Sequence, residues 1–184
     1  VKEVDPSITK DSKAVKEITE LLKEMESDGY QFEGAEASFE LMVRRMLPAY
    51  APPFEVQDAL VLAEKRNGNP MLSEATVKMR VGDQVMHTAS DGDGPVNALD
   101  RAMRKALLPT FPWLEGVHLA DYKVRIVDPQ SATAALTRVL IDASDGNETW
   151  TTVGCSVNII EASTTALVDS LELALLGRSS RGSH

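Results

Sequence analysis

The sequence has 184 residues, 43% of them hydrophobic and 26% charged, a balance that suits a globular chain of one ordinary domain with a modest appendage. Its 28 acidic residues outnumber 19 basic ones, for a net charge of -9, and no Lys/Arg cluster tracks one face, which argues against nucleic acid as a partner. No apolar run approaches the roughly 20 residues of a membrane helix. The start, "VKEVDPSITKDSK", lacks a signal-peptide pattern. The single cysteine, Cys155, excludes an internal disulfide and fits a reducing, cytoplasmic setting.

A first helix is predicted from about Asp11 to Asp28, with Val15, Ile18, Leu22 and Met25 recurring on one face. Asp11 or Ser12 can cap its start, and Gly29 ends it. A second helix runs from about Ala35 to Leu47, with Phe39, Met42, Val43 and Met46 on one side, before Pro48, Pro52 and Pro53. These stripes cannot be buried by the two helices alone. Residues 1–50 therefore read as a helical linker subdomain that packs on something, such as a part of a larger protein missing here.

After Pro53 the period falls to two. Phe54, Val56, Leu60 and Leu62 share one parity, and Ala75, Val77, Met79 and Val81 another; Val85, His87 and Ala89 follow. "NGNP" at Asn67 and "VGDQ" at Val81 are turn signals. A helix with Val96, Leu99, Met103 and Ala106 on its apolar face closes the series. The order then recurs: Tyr122, Val124 and Ile126 alternate with Lys123 and Arg125, Ala135 to Ile141 form the next strand, "SDGN" at Ser144 marks a hairpin, and a strand from Thr149 leads to a helix with Leu167, Leu171 and Leu175 inward. A shift of 68 residues lays "ALDRAMRKALL" (Ala98 to Leu108) over "ALVDSLELALL" (Ala166 to Leu176), with five of eleven positions identical. The expected fold is α+β: two βββα repeats, residues 51–110 and 117–176, each an antiparallel sheet with one helix on it. Half-covered sheets of this kind pair, so a homodimer is expected. Gly177 to His184, "GRSSRGSH", reads as tag sequence.

No catalytic constellation is legible. His87, His118 and His184 are far apart in sequence, and no HxH, HExxH, CxxC, GxSxG or P-loop spacing occurs, so neither catalytic nor metal residues are assigned. Cys155, in "VGCSV", reads as a small buried hydrophobe, and His87 as a core or dimer-interface residue.

The segment "DGDGP" stands apart. Pro95 suits the first helical position. Gly92 and Gly94 let backbone approach a ligand or take positive φ. The first-turn amides of Val96 and Asn97 have no intrahelical partner and favour an anion. Asp91 and Asp93 would repel a plain anion but suit an ammonium beside a carboxylate, as in an amino acid. The alternative is a turn whose aspartates cap the helix. The second repeat, at "NIIEASTT", lacks the glycines.

"GYQFEGAEASFELMVRR" (Gly29 to Arg45), "ASDGDGPVNALDRAMRKAL" (Ala89 to Leu107), "DYKVRI" (Asp121 to Ile126) and "VNIIEASTTALVDSLELAL" (Val157 to Leu175) resemble the C-terminal part of the 2-isopropylmalate synthase and citramalate synthase family, the first stretch most like the bacterial citramalate synthase branch. The resemblance implies the linker subdomain and regulatory domain of an acyltransferase that joins an acetyl-CoA acetyl group to a 2-oxo acid. The catalytic TIM barrel, with the divalent metal it needs, would lie outside this chain, so no cofactor and no enzymatic activity are expected here. It also implies a dimer that binds isoleucine, or alternatively leucine, as feedback inhibitor; a dimerisation module without an effector site is the remaining alternative. The family's effector loop matches Gly92, Asp93, Gly94 and Pro95, followed by Val96 and Asn97, with Asp91 before them. Its pocket pattern of an aliphatic, a tyrosine three on and an aliphatic four further matches Leu119, Tyr122 and Ile126, and Ala135 or Leu136 would face them. Where members often carry a lysine, "TAALTRV" has Leu136.

Overall fold

The computed structural model describes residues 13–179. Their element order is α1 (Lys13–Ser27), α2 (Glu36–Arg45), β1 (Phe54–Lys65), β2 (Met71–Val81), β3 (Gln84–Gly92), α3 (Pro95–Leu107), β4 (His118–Ile126), β5 (Thr137–Ser144), β6 (Thr149–Ser156) and α4 (Ile159–Ser179), with 3-10 turns at Pro112–Gly116 and Pro129–Ala134. Two three-stranded sheets, ordered β1-β2-β3 and β4-β5-β6, account for the strands. This is the expected α+β pair of βββα repeats. The Asp11 or Ser12 cap lies outside the described residues. Gly177 to Ser179, read as tag, are the last residues of α4, and residues 180–184 lie outside the description.

The described chain divides into two compact units, residues 52–118 with 174–179, and residues 13–51 with 119–173. In the first, β1, β2 and β3 are antiparallel, and Val81 opposite Gln84 leaves Gly82 and Asp83 as a two-residue turn. Gly82 takes φ +58, the left-handed conformation such tight hairpins require. Ala75, Val77 and Met79 of β2 are buried together with Leu99, Met103 and Ala106 of α3. One expectation fails here. Phe54, Val56, Leu60 and Leu62 do not share a face, because the register slips between Val56 and Asp58, where a bulge takes up Gln57. One extra residue reverses the parity of all that follow. Phe54 is buried, whereas Leu60 is 66% exposed; Ala59 and Val61 stand opposite the buried Val77 and Ala75 instead, Val61 half-buried and Ala59 exposed.

In the second unit β5 and β6 pair from Thr137 opposite Ser156 to Ser144 opposite Thr149. Val139 and Ile141 are buried, as are Leu167 and Leu171 of α4. The linker helices belong to this unit. Their stripes do not wait for a missing part of a larger protein: Ile18, Phe32, Ala35, Met42 and Val43 form one apolar cluster with Val153, flanked by Leu140. Both strand residues alternate with those that meet α4, so they lie on the opposite side of the sheet. Gly29 turns the chain between α1 and α2 at φ +92, and a side chain there would overlap Leu136. Ser38 ties α2 to both neighbours, its Oγ accepting from the Val153 amide at 2.9 Å and donating to Asp169 at 2.9 Å. Because β6 is an edge strand, this satisfies an amide the sheet cannot.

The repeat is real, but its offset is 64 rather than 68. Thr88 donates to the Ala102 carbonyl at 2.7 Å, and Thr152 to the Ala166 carbonyl at 2.7 Å. The first helical bonds, Ala98 to Gly94 and Ala162 to Asn158, obey the same spacing. The four-residue error is about one helical turn, which returns the apolar stripe nearly to register.

Candidate functional site

The start of α3 is built by close approach. A Cβ on Gly92 would overlap the Ala98 amide nitrogen and come within 2.7 Å of Ala98 Cα. The fold itself therefore demands Gly92, so β3 can run into α3. The second repeat solves the same problem with Gly154, where a Cβ would overlap the Ala162 carbonyl. Gly94 is different. Its backbone is extended, at φ -166 and ψ 170, and a Cβ there would meet nothing within 4 Å. Neither strain nor crowding calls for glycine at that position.

What Gly94 omits becomes visible through the 64-residue offset, which sets it against Asn158. Asn158 caps α4, its Oδ1 accepting from the Ile160 amide at 2.9 Å and the Glu161 amide at 3.4 Å. The counterparts of those amides in α3 belong to Val96 and Asn97, and Gly94 offers them no side-chain cap. Pro95, at the first helical position, brings no amide. Two donors at the positive end of a 13-residue helix are thus left to solvent or to a ligand.

The flanking side chains are oriented around this end. Asn97 Oδ1 accepts from the Asp93 amide at 3.2 Å. The Asp93 carboxylate lies 3.6 Å from Arg101 Nη2, and Arg101 Nη1 reaches the Asp91 carbonyl at 3.5 Å. The Asp93 side chain is 92% exposed, and its carboxylate already faces the Arg101 guanidinium. Arg101, one turn further along the helix, was not singled out from the sequence; only its helical spacing from Asn97 points to it.

The other expected residues lie in the unit that holds the linker helices, and in three settings. Tyr122, Val124 and Ile126 alternate along β4 and are 38%, 41% and 59% exposed, an apolar strip open to solvent. The Tyr122 hydroxyl lies 2.7 Å from Ser163 Oγ of α4. Ser163 itself donates to the Ile159 carbonyl at 2.6 Å, so the phenol is the donor of that pair. Leu119, of opposite parity, is half-buried at the start of β4. Ala135 is buried, and Leu136 packs into the space left by Gly29. Leu136 thus makes an apolar contact with the linker turn. Cys155 is half-buried, and burial pushes its thiol up, opposed by Arg138; a protonated thiol is a poor nucleophile.

A second polar cluster, missed in the sequence, joins α2 to α4. Arg45 Nη2 lies 2.7 Å from both Asp169 Oδ1 and Glu172 Oε2, and the Tyr50 hydroxyl also donates to Glu172. Both carboxylates are buried. Burial pushes the Asp169 carboxyl above its ordinary value against the pull of Arg45 and Ser38. Burial alone would lower the Arg45 guanidinium, but its bonds to Glu172 and Asp169 raise it instead. Nothing but the spacing of acids in "VDSLELAL" announces the pair.

Among the described residues no group of three or more His, Cys, Asp or Glu side chains could hold a metal ion, and none of the described helices is long and apolar enough to cross a membrane.

Fold and helix starts together define a duplicated βββα domain in which one helix is capped by its own chain and the other is not. Over 160 residues, 86% of this chain, it is 51% identical to a protein of Geobacter sulfurreducens named (R)-citramalate synthase, covering 30% of that protein. A protein of the same name from Aquifex aeolicus is 45% identical over 175 residues, 95% of this chain and 32% of its own. A 2-isopropylmalate synthase of Ruminiclostridium cellulolyticum is 31% identical over 111 residues, 59% of this chain and 20% of its own. Residues 33–175 match the LeuA allosteric (dimerisation) domain, and the chain belongs to that family. It spans about a third of the length of the citramalate synthases it matches.

Proposed function

We propose that this chain is the effector-sensing and pairing part of a citramalate synthase, that it binds isoleucine as feedback inhibitor, and that it works as a homodimer. The observation that carries the reading is the asymmetry of the helix starts: Asn158 caps the amides of Ile160 and Glu161, while Gly94 leaves those of Val96 and Asn97 uncapped. An amino-acid carboxylate supplies the acceptor that Gly94 lacks. The ammonium beside it meets Asp93 or Asp91. Burying a branched aliphatic tail adds about 2 kcal/mol, and the family pattern assigns Leu119, Tyr122, Ile126 and Ala135 to an apolar pocket. The exposed strip on β4 is the surface offered to a second copy.

Inhibition requires that the ligand bind one arrangement of the parent enzyme better than another, since equal affinity shifts nothing. Condensation of acetyl-CoA with pyruvate belongs to the metal-dependent barrel of the parent and is not expected from this chain. Isoleucine leads because the named relatives at 45% identity and above are citramalate synthases. Leucine differs only in the placement of one methyl, a discrimination worth about 1–3 kcal/mol.

Thermal unfolding and calorimetry with isoleucine, leucine and valine test the reading. At a hundredfold excess over Kd a specific ligand stabilises by about 2.7 kcal/mol, or about 5–11 °C in a chain of this size. The preferred effector gives that shift with a saturable heat. Absence of both at millimolar ligand leaves a dimerisation module without an effector site.

A further inference from the structure

A groove of about 260 Å³ opens in the unit that contains the linker helices, lined by Gln31, Glu33 and Gly34 on one side and by Lys123, Arg125, Arg138, Leu140, Asp142 and Thr151 of the sheet on the other. It shares no residue with the proposed effector loop. We propose that this groove is a second binding site, for a compact anionic metabolite recognised through a carboxylate or phosphate group.

Three cations and two carboxylates line it, and the bonding divides them. Asp142 is committed, its Oδ1 accepting from Thr151 at 2.6 Å and its Oδ2 from Lys123 at 3.1 Å. Arg138 is held by the linker turn: Nε donates to the Gly29 carbonyl at 2.8 Å and Nη1 to Gln31 Oε1 at 2.7 Å. Its guanidinium is therefore fixed before any ligand arrives. Arg125 has no hydrogen bond or ion pair among the described residues, and its planar fork is available to a carboxylate or phosphate in a bidentate pair. Lys123 adds a point charge that Asp121 and Asp142 hold in place. Glu33, without a side-chain partner among the described residues, opposes an anion from the linker side. The volume lies just below the roughly 300–1,000 Å³ of drug-sized pockets, which limits the ligand to a small polar molecule.

Position gives the site a consequence. Its two walls are the linker turn and the sheet, so a ligand bridging Arg125 and the Gln31–Arg138 pair fastens one to the other. Such a ligand biases the attitude of the linker whether or not the loop at Gly94 is occupied.

Calorimetry and thermal shift with sodium phosphate and with sodium succinate, each against sodium chloride at matched ionic strength, test this in the wild type, Arg125→Gln and Glu33→Gln. Both variants are at exposed positions and leave the fold intact. Saturable binding of one anion is expected, weakened about tenfold or more in Arg125→Gln and tightened a few-fold in Glu33→Gln. Saturation by phosphate alone identifies a phosphorylated ligand, and by succinate alone a carboxylate. No saturable response to either anion overturns the proposal, as does equal affinity in wild type and Arg125→Gln. Competition by isoleucine also overturns it, by merging the groove with the effector site; failure of isoleucine to bind at all leaves the expected anion response untouched.

Discussion

Gly94→Asn copies into α3 the cap that α4 already carries. The backbone at Gly94 is extended and a Cβ there has open space, so the substitution costs no strain. Asparagine exceeds glycine as a cap by only a few tenths of a kcal/mol, which in a chain of this length raises Tm by about 1 °C. Binding responds in the opposite direction. The new Oδ1 takes the Val96 and Asn97 amides, as Asn158 takes those of Ile160 at 2.9 Å and Glu161 at 3.4 Å. A carboxylate then loses hydrogen bonds worth about 1.5–3 kcal/mol each, and its Kd rises at least tenfold. Asn158→Gly is the mirror control: it lowers Tm by about the same small amount and leaves the effector Kd unchanged. Differential scanning fluorimetry and isothermal titration with isoleucine read both quantities. A Gly94→Asn protein that binds isoleucine as tightly as wild type would refute the reasoning, because the amides would then not be the carboxylate's donors.

Arg45→Met strips the counter-charge from two buried carboxylates and is expected to cost about 3 kcal/mol, the low end for breaking a buried pair because the Arg45 side chain is 39% exposed; the denaturant midpoint measures it. Asp169 supplies a pH test. Its folded pKa is raised above the ordinary 3.8, so the stability it contributes is full below that value and is lost as pH rises through the folded pKa. The stability of wild type relative to Asp169→Asn should therefore fall as pH rises above the ordinary 3.8; a difference that grows with rising pH would mean that Arg45 outweighs burial. Gly154→Ala drives a methyl into the Ala162 carbonyl and comes within 2.9 Å of its carbon, and is expected to destabilise by about 2–3 kcal/mol in chemical denaturation. Ile126→Glu places a charge in the exposed strip of β4 and should weaken self-association at least tenfold in sedimentation equilibrium, with the monomer's unfolding unchanged.

The repeated order of elements was legible because each depends on short-range pattern: period two for strands, a 3.6-residue stripe for helices, and glycine at Gly82 and Gly146 for the turns. What escaped was long-range. The bulge at Gln57 leaves no mark in "FEVQDALVL", since polar residues occur on the outer face of any strand, and it set Val61 rather than Leu60 opposite Ala75. Arg45 is separated from Asp169 and Glu172 by more than 120 residues of chain, and a lone arginine at a helix end reads as an ordinary C-terminal charge. Two glycines in "DGDGP" looked alike, yet only the distance to Ala98 separates the one the fold needs from the one it does not.

That separation changes which residue bears the functional argument. The missing glycines of the second repeat cannot by themselves imply a ligand, because Gly154 does in β6 the packing work that Gly92 does in β3, two residues out of step in the repeat. Gly94 survives the comparison. Duplication gives each helix the same amides, and a chain that caps one pair with Asn158 had the same low-cost solution open to it for the other. Leaving that end bare gives up a few tenths of a kcal/mol. An anion bound there through charge-assisted hydrogen bonds returns several times as much, but only while it is bound. On the proposed reading the stability of α3 depends on ligand concentration, which is the property a sensor requires and a pairing scaffold does not.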